Sequence, residues 1–118
     1  MIYQGSCHCG AIRFRVTTNS RDVLDCNCSI CTKKALLHLI VEESQFELVA
    51  GEPATYTFGT HTAKHHFCAT CGSHPFYRPR SHPNGWDVNV RCLDVPLEHW
   101  VIERFDGQNW EDSVGSIR

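Results

Sequence analysis

The chain has 118 residues, 42% of them hydrophobic and 20% charged, which predicts one globular domain over residues 1–118 and excludes a disordered chain. Eleven Lys and Arg stand against thirteen Asp and Glu, a formal net charge of −2 that disfavours nucleic acid as a partner. No apolar run approaches the ~20 residues a membrane helix needs, so no membrane partner is expected.

Residues 1–7 carry neither a basic n-region nor an apolar h-region, which predicts no secretory leader and a cytoplasmic protein. Residues 11–17 alternate strictly, with Ile12, Phe14 and Val16 on one face, the pattern of a half-buried strand. Residues 19–22 predict a turn, and residues 29–35 a short helical turn. The mostly apolar run 36–41 follows, then a second strand over 45–49 with Phe46 and Leu48 inward. Gly51-Glu52-Pro53 predicts a turn, and the Thr- and aromatic-rich residues 54–58 a strand. Phe76-Tyr77 lies between Pro75 and Pro79, so that strand is expected to be short or at an edge. Residues 81–85 predict a turn. Residues 86–92 alternate, with Val88, Val90 and Cys92 on one side, and residues 96–100 predict another helical turn. Many short strands separated by turns predict an all-β domain, with no sign of parallel strands joined by crossover helices.

Eight cysteines are too many to be incidental. They allow a secreted disulfide scaffold or a set of metal ligands in a reducing compartment. Spacing favours metal. Seven of the eight fall in tight clusters: Cys7-x-Cys9, Cys26-x-Cys28-x-x-Cys31 and Cys68-x-x-Cys71. Close neighbours pair with each other only under strain, but they converge readily on one ion. Cys7-His8-Cys9-Gly10 and Cys68-Ala69-Thr70-Cys71-Gly72 each offer two thiolates followed by glycine. Together they supply the four ligands of a closed structural zinc, pinning the N-terminal hairpin to the middle of the chain. Cys26, Cys28 and Cys31 supply three. Spacing alone leaves two readings: an open, reactive zinc, or another structural site closed by Cys92 or a histidine. Three thiolates on Zn²⁺ make a weak Lewis acid, better suited to taking an incoming thiolate than to activating water.

These motifs, continued by Tyr77-Arg78-Pro79-Arg80-Ser81 and Asn89-Val90-Arg91-Cys92-Leu93-Asp94, resemble the glutathione-dependent formaldehyde-activating enzyme family, also described with centromere protein V. The resemblance covers nearly the whole chain. It implies the β-tent, or Mss4-like, fold of short antiparallel strands stapled by zinc. It also implies two Zn²⁺ per chain, one structural on Cys7, Cys9, Cys68 and Cys71, and one catalytic on Cys26, Cys28 and Cys31. The implied activity is that of a carbon–sulfur lyase condensing glutathione, or a similar small thiol, with formaldehyde or a related small aldehyde. The alternative is a non-catalytic glutathione carrier or a zinc-stapled protein-binding module. Ala35 stands where glycine is common in the family.

Seven thiolates and two Zn²⁺ take the formal charge from −2 to −5, so an anionic substrate needs cations close to the open metal. Arg78, Arg80, Lys33 and Lys34 are the candidates for that substrate pocket, with Lys64 as a further cation. Solvated surface charge is the plain alternative for each. Cys92 is expected to be a buried free thiol rather than a redox nucleophile. His38 falls on the 36–41 run and could face the second zinc, while His65 or His66 could support a cysteinate or move a proton. Trp86, Trp100 and Trp110 are expected in the core rather than on a ligand platform.

Overall fold

The structure, a computed structural model, describes residues 1–117. Within them lie ten strands: β1 Ile2–Ser6, β2 Arg13–Thr17, β3 Asp22–Cys26, β4 His38–Val41, β5 Phe46–Ala50, β6 Ala54–Tyr56, β7 Lys64–Phe67, β8 Phe76–Arg78, β9 Trp86–Asn89 and β10 Val101–Phe105. Two short helices, α1 (Ser29–Lys34) and α2 (Trp110–Ser113), complete the framework. Strands β1-β2-β5 form a small sheet, and β10-β3-β4-β9-β8-β7-β6 a large one. This is the all-β architecture of short strands expected for a β-tent. No helix among the described residues is long and apolar enough to cross a membrane.

The alternation of Ile12, Phe14 and Val16 puts all three in the core, with Phe14 and Val16 completely enclosed. Phe14 and Phe46 of the small sheet meet Phe76 and Trp86 of the large one, at ring separations of 4.4 to 5.8 Å. Aromatic contacts at these distances each add about 0.5–1.5 kcal/mol beyond the area they bury. They make this cluster the joint between the sheets.

Several expectations change in detail. Leu48 does not point into the core. It stands opposite Phe14 in the register, but β5 is the edge strand of a three-stranded sheet, and Leu48 is 42% exposed. The Phe76 strand is short but lies inside the large sheet, between β7 and β9. The run 86–92 splits into β9 and a 3₁₀ turn over Val90–Cys92, which leaves Cys92 half-buried. The strands are not all antiparallel, because β10 pairs parallel with β3, with Phe105 opposite Cys26. That pairing brings the chain's C-terminal portion beside the second cysteine cluster.

Candidate metal centres and their cavity

The first cluster forms where β1 and β7 end. Cys7 and Cys9 follow β1, while Cys68 and Cys71 follow β7, so the set spans both sheets. The four Sγ atoms lie within 4.8 Å of one another. Cys7 Sγ is 3.6 Å from Cys9 Sγ, which is 3.7 Å from Cys68 Sγ. A tetrahedron with ~2.3 Å metal–sulfur bonds has edges of about 3.8 Å, so this donor set fits zinc; a disulfide needs sulfurs ~2.05 Å apart. All eight cysteines are free thiols. Gly10 and Gly72 turn the two knuckles with φ of 80° and 79°, a conformation costly for other residues. Backbone then supports the sulfurs: Ile12 N–H donates to Cys7 Sγ at 3.3 Å. Ser73, whose Oγ is 3.5 Å from Cys71 Sγ, holds that thiol down at about 5.

The second cluster is local. Cys26 ends β3, Cys28 caps α1, and Cys31 lies buried within α1. Their sulfurs also lie within 4.8 Å of one another, and among the described residues no fourth His, Cys, Asp or Glu joins the set. Cys92 is elsewhere, near the His74 carbonyl. Without a cation the three thiols cannot all ionise. Hydrogen bonds from Cys26 and Cys31 pull the Cys28 thiol far down, while contacts with Cys26 and Cys28 push Cys31 up. A dication resolves that conflict, so the donor set fits a metal.

A buried relay supports Cys31. His38 Nε2 lies 3.1 Å from Cys31 Sγ, and His38 Nδ1 lies 2.9 Å from Asp87 Oδ1. His38 and Asp87 are each 3% exposed. Burial alone would lower the His38 pKa, but the Asp87 carboxylate beside it raises it overall. Tyr77 Oη sits 3.3 Å from His38 Nδ1. Burial, followed by the Asp87 charge, pushes that hydroxyl well above its usual range and keeps it protonated. The sequence marked His38 only as an open possibility and gave no sign of Asp87, which is 49 residues away along the chain.

The three thiols and this relay line a cavity of about 540 Å³. Of the four expected substrate cations, Arg80 alone lines it; Arg78, Lys33 and Lys34 do not. Arg78 pairs with Glu43, donates to the Gly85 carbonyl and lies 3.5 Å over the Trp86 ring. Lys33 and Lys34 end α1, where cations complement the helix dipole, and they face a separate cleft with Arg91 and Cys92. Trp110, expected in the core, forms part of the cavity wall with Arg80 3.8 Å over its ring. Trp86 and Trp100 are packing residues, as expected. The left-handed residue that ends α1 is Ala35, at φ 53°. This is the conformation that glycine adopts without penalty.

The C-terminal segment covers the second cluster. Asn27 fastens it: its Nδ2 donates to Asp106 Oδ1 at 3.0 Å, and its Oδ1 accepts from Gln108 N–H at 2.9 Å. Gly107 lies so close that a Cβ built there would be 2.2 Å from Cys26 Sγ.

Residues 2–104 match the family described as glutathione-dependent formaldehyde-activating enzyme. The chain belongs to that family. A relative from Halomonas elongata, provisionally named a glutathione-dependent formaldehyde-activating enzyme, is 34% identical over 85 residues. The match covers 62% of this chain and 54% of the relative, so it spans about half of the relative's length. A Rhodobacter sphaeroides protein of known crystal structure is 34% identical, with a TM-score of 0.77 over 86% of this chain and 98% of that one.

Proposed function

We propose that this family member is a zinc-dependent carbon–sulfur lyase that condenses a small, glutathione-like thiol with formaldehyde or a related aldehyde. The observation that carries the reading is the three-thiol set of Cys26, Cys28 and Cys31 lining a cavity, with no fourth protein ligand among the described residues. In this reading Cys7, Cys9, Cys68 and Cys71 hold a second, structural zinc, and residues 1–118 work as one domain. Eight free cysteines suit a reducing compartment, and the reading assigns the protein to the cytoplasm.

Zn²⁺ on Cys26, Cys28 and Cys31 would accept a substrate thiol at its open position and lower that thiol's pKa, so that thiolate is present at neutral pH. The cavity walls hold thiol and aldehyde together, which supplies much of the effect for an addition that is already easy in solution. The reaction joins substrate sulfur to the carbonyl carbon as the C=O π pair moves to oxygen. The thiol's proton is released, and one proton is taken up by the new hydroxyl, so atoms and charge balance. Tyr77 Oη is the donor we assign to the carbonyl oxygen. His38, anchored on Asp87, orients Cys31.

Metal analysis of Cys28→Ser, with cobalt substitution, tests the reading. The variant should keep its fold, hold one metal instead of two and lose thiol–aldehyde addition. Glutathione should intensify the sulfur-to-cobalt absorption of the wild type but not of the variant. Cys92→Ser should match the wild type throughout. Loss of the second metal in Cys92→Ser would show a closed structural site and defeat the lyase reading. Glutathione binding without rate enhancement would indicate a carrier.

A further inference from the structure

Glutathione presents two carboxylates and an ammonium besides its thiol, and the cavity offers them few charged partners, its neutral polar side chains including Ser29, Thr60, Ser81 and Gln108. Among the described residues, Arg80 is its one Lys or Arg. Asp87, its one carboxylate among the described residues, is buried and already bonded to His38. The remaining wall is largely aromatic and aliphatic. Phe58 stacks on His65 at 5.6 Å, and His65 stacks on Tyr77 at 4.6 Å, a ladder running from the exposed Phe58 to the buried relay. Phe105 and Trp110 also line the cavity. Both lie beyond residue 104, where the family match ends. This part of the wall is held by Asn27 from inside the second cysteine motif.

Arg80 is stacked on Trp110 and has no ion pair or side-chain hydrogen bond among the described residues. A stacked guanidinium keeps its N–H edge available for a bidentate carboxylate. An apolar pocket with one convergent charge selects a ligand with an apolar body and one opposite charge, because further charges would be desolvated without partners.

We propose that the cavity selects thiols with an aromatic or branched aliphatic body and a single carboxylate, the carboxylate on Arg80 and the body between Phe58 and Trp110. This rests on the reading of Cys26, Cys28 and Cys31 as the thiol-accepting metal site. It names a substrate class narrower than, and different from, glutathione.

The test is calorimetric titration of the zinc-loaded protein with three probes: glutathione, 2-sulfanyl-3-phenylpropanoate and the thiol-free 3-phenylpropanoate. The phenyl thiol should bind at least tenfold more tightly than glutathione, and 3-phenylpropanoate should compete with it. Trp110→Ala should weaken the phenyl thiol at least tenfold and leave glutathione within about twofold, whereas Arg80→Gln should weaken both carboxylate ligands. Trp110→Phe should retain most of the affinity, which separates loss of the wall from loss of the fold. Glutathione binding as tightly as the phenyl thiol, Trp110→Ala weakening both alike, or Arg80→Gln leaving the phenyl thiol unchanged would overturn the proposal. So would failure of both phenyl probes to bind. Binding of 3-phenylpropanoate at Trp110 with no thiol response would leave the pocket standing and sink the metal-site reading instead.

Discussion

Gly107→Ala is the sharpest local perturbation the fold allows at the second cluster. Its Cβ would sit 2.2 Å from Cys26 Sγ and 3.0 Å from Cys28 Cβ, where ordinary contact begins near 3.4 Å. The gap of more than 1 Å must be recovered by moving the thiol or by lifting the segment held on Asn27. Overpacking of this kind costs about 1–3 kcal/mol. If the thiol yields, that energy comes out of metal affinity at the second cluster, roughly a 5- to 150-fold loss. Competition with a chromophoric chelator should then show one weakened zinc and one unchanged. If the segment yields, Trp110 leaves the wall, and its fluorescence and protease sensitivity should change. Gly115→Ala is the control, since nothing lies within 4 Å of a Cβ there. Gly107→Ala with both zinc affinities, fluorescence and proteolysis unaltered would refute the placement of this segment on the cluster.

Cys71→Ser should lose one zinc and the fold together. The first cluster joins the two sheets, and structural zinc contributes on the order of 10 kcal/mol in small peptides against a net stability of about 5–15 kcal/mol. Circular dichroism showing a folded variant with two zincs would remove Cys71 from the ligand set. Ala35→Gly should stabilise the protein by up to about 1 kcal/mol, because a left-handed alanine costs roughly 1–2 kcal/mol and glycine loses part of that gain to chain entropy. Thermal melts should rise by a few degrees, and a fall would mean that the helix end is held differently.

The cysteine clusters were legible because their information is local: two or three thiols within six residues state a ligand set before any fold is known. The core strand was legible for the same reason, since Ile12, Phe14 and Val16 repeat at the period of the strand itself. What stayed hidden depends on distant partners. Strands β3 and β10 lack a readable alternation; four of the five β10 residues are exposed, and its pairing with β3 is set by register across nearly 80 residues. Arg78 reads in the sequence as a substrate cation, but Glu43, 35 residues earlier, engages it. Trp110 looked like core because nothing near it in sequence says that Asn27 holds its segment over a cavity.

The preference among thiols follows from desolvation rather than from charge. As thiolates, glutathione and a phenyl thiol carboxylate carry the same net charge, so long-range steering toward Arg80 treats them alike. Their difference lies in what meets the Phe58 and Trp110 wall. The zwitterionic end of glutathione either stays in water at the mouth and gains nothing, or enters and loses hydration without a partner. A phenyl body covers roughly 80 Å² of apolar surface, somewhat under half of what an aromatic side chain buries, and at ~25 cal/mol per Å² gains about 2 kcal/mol. That is roughly a 30-fold preference. Because it carries no Coulombic component, it should persist as salt is raised. The Arg80–carboxylate contact, common to both kinds of ligand, should weaken for each to a similar degree.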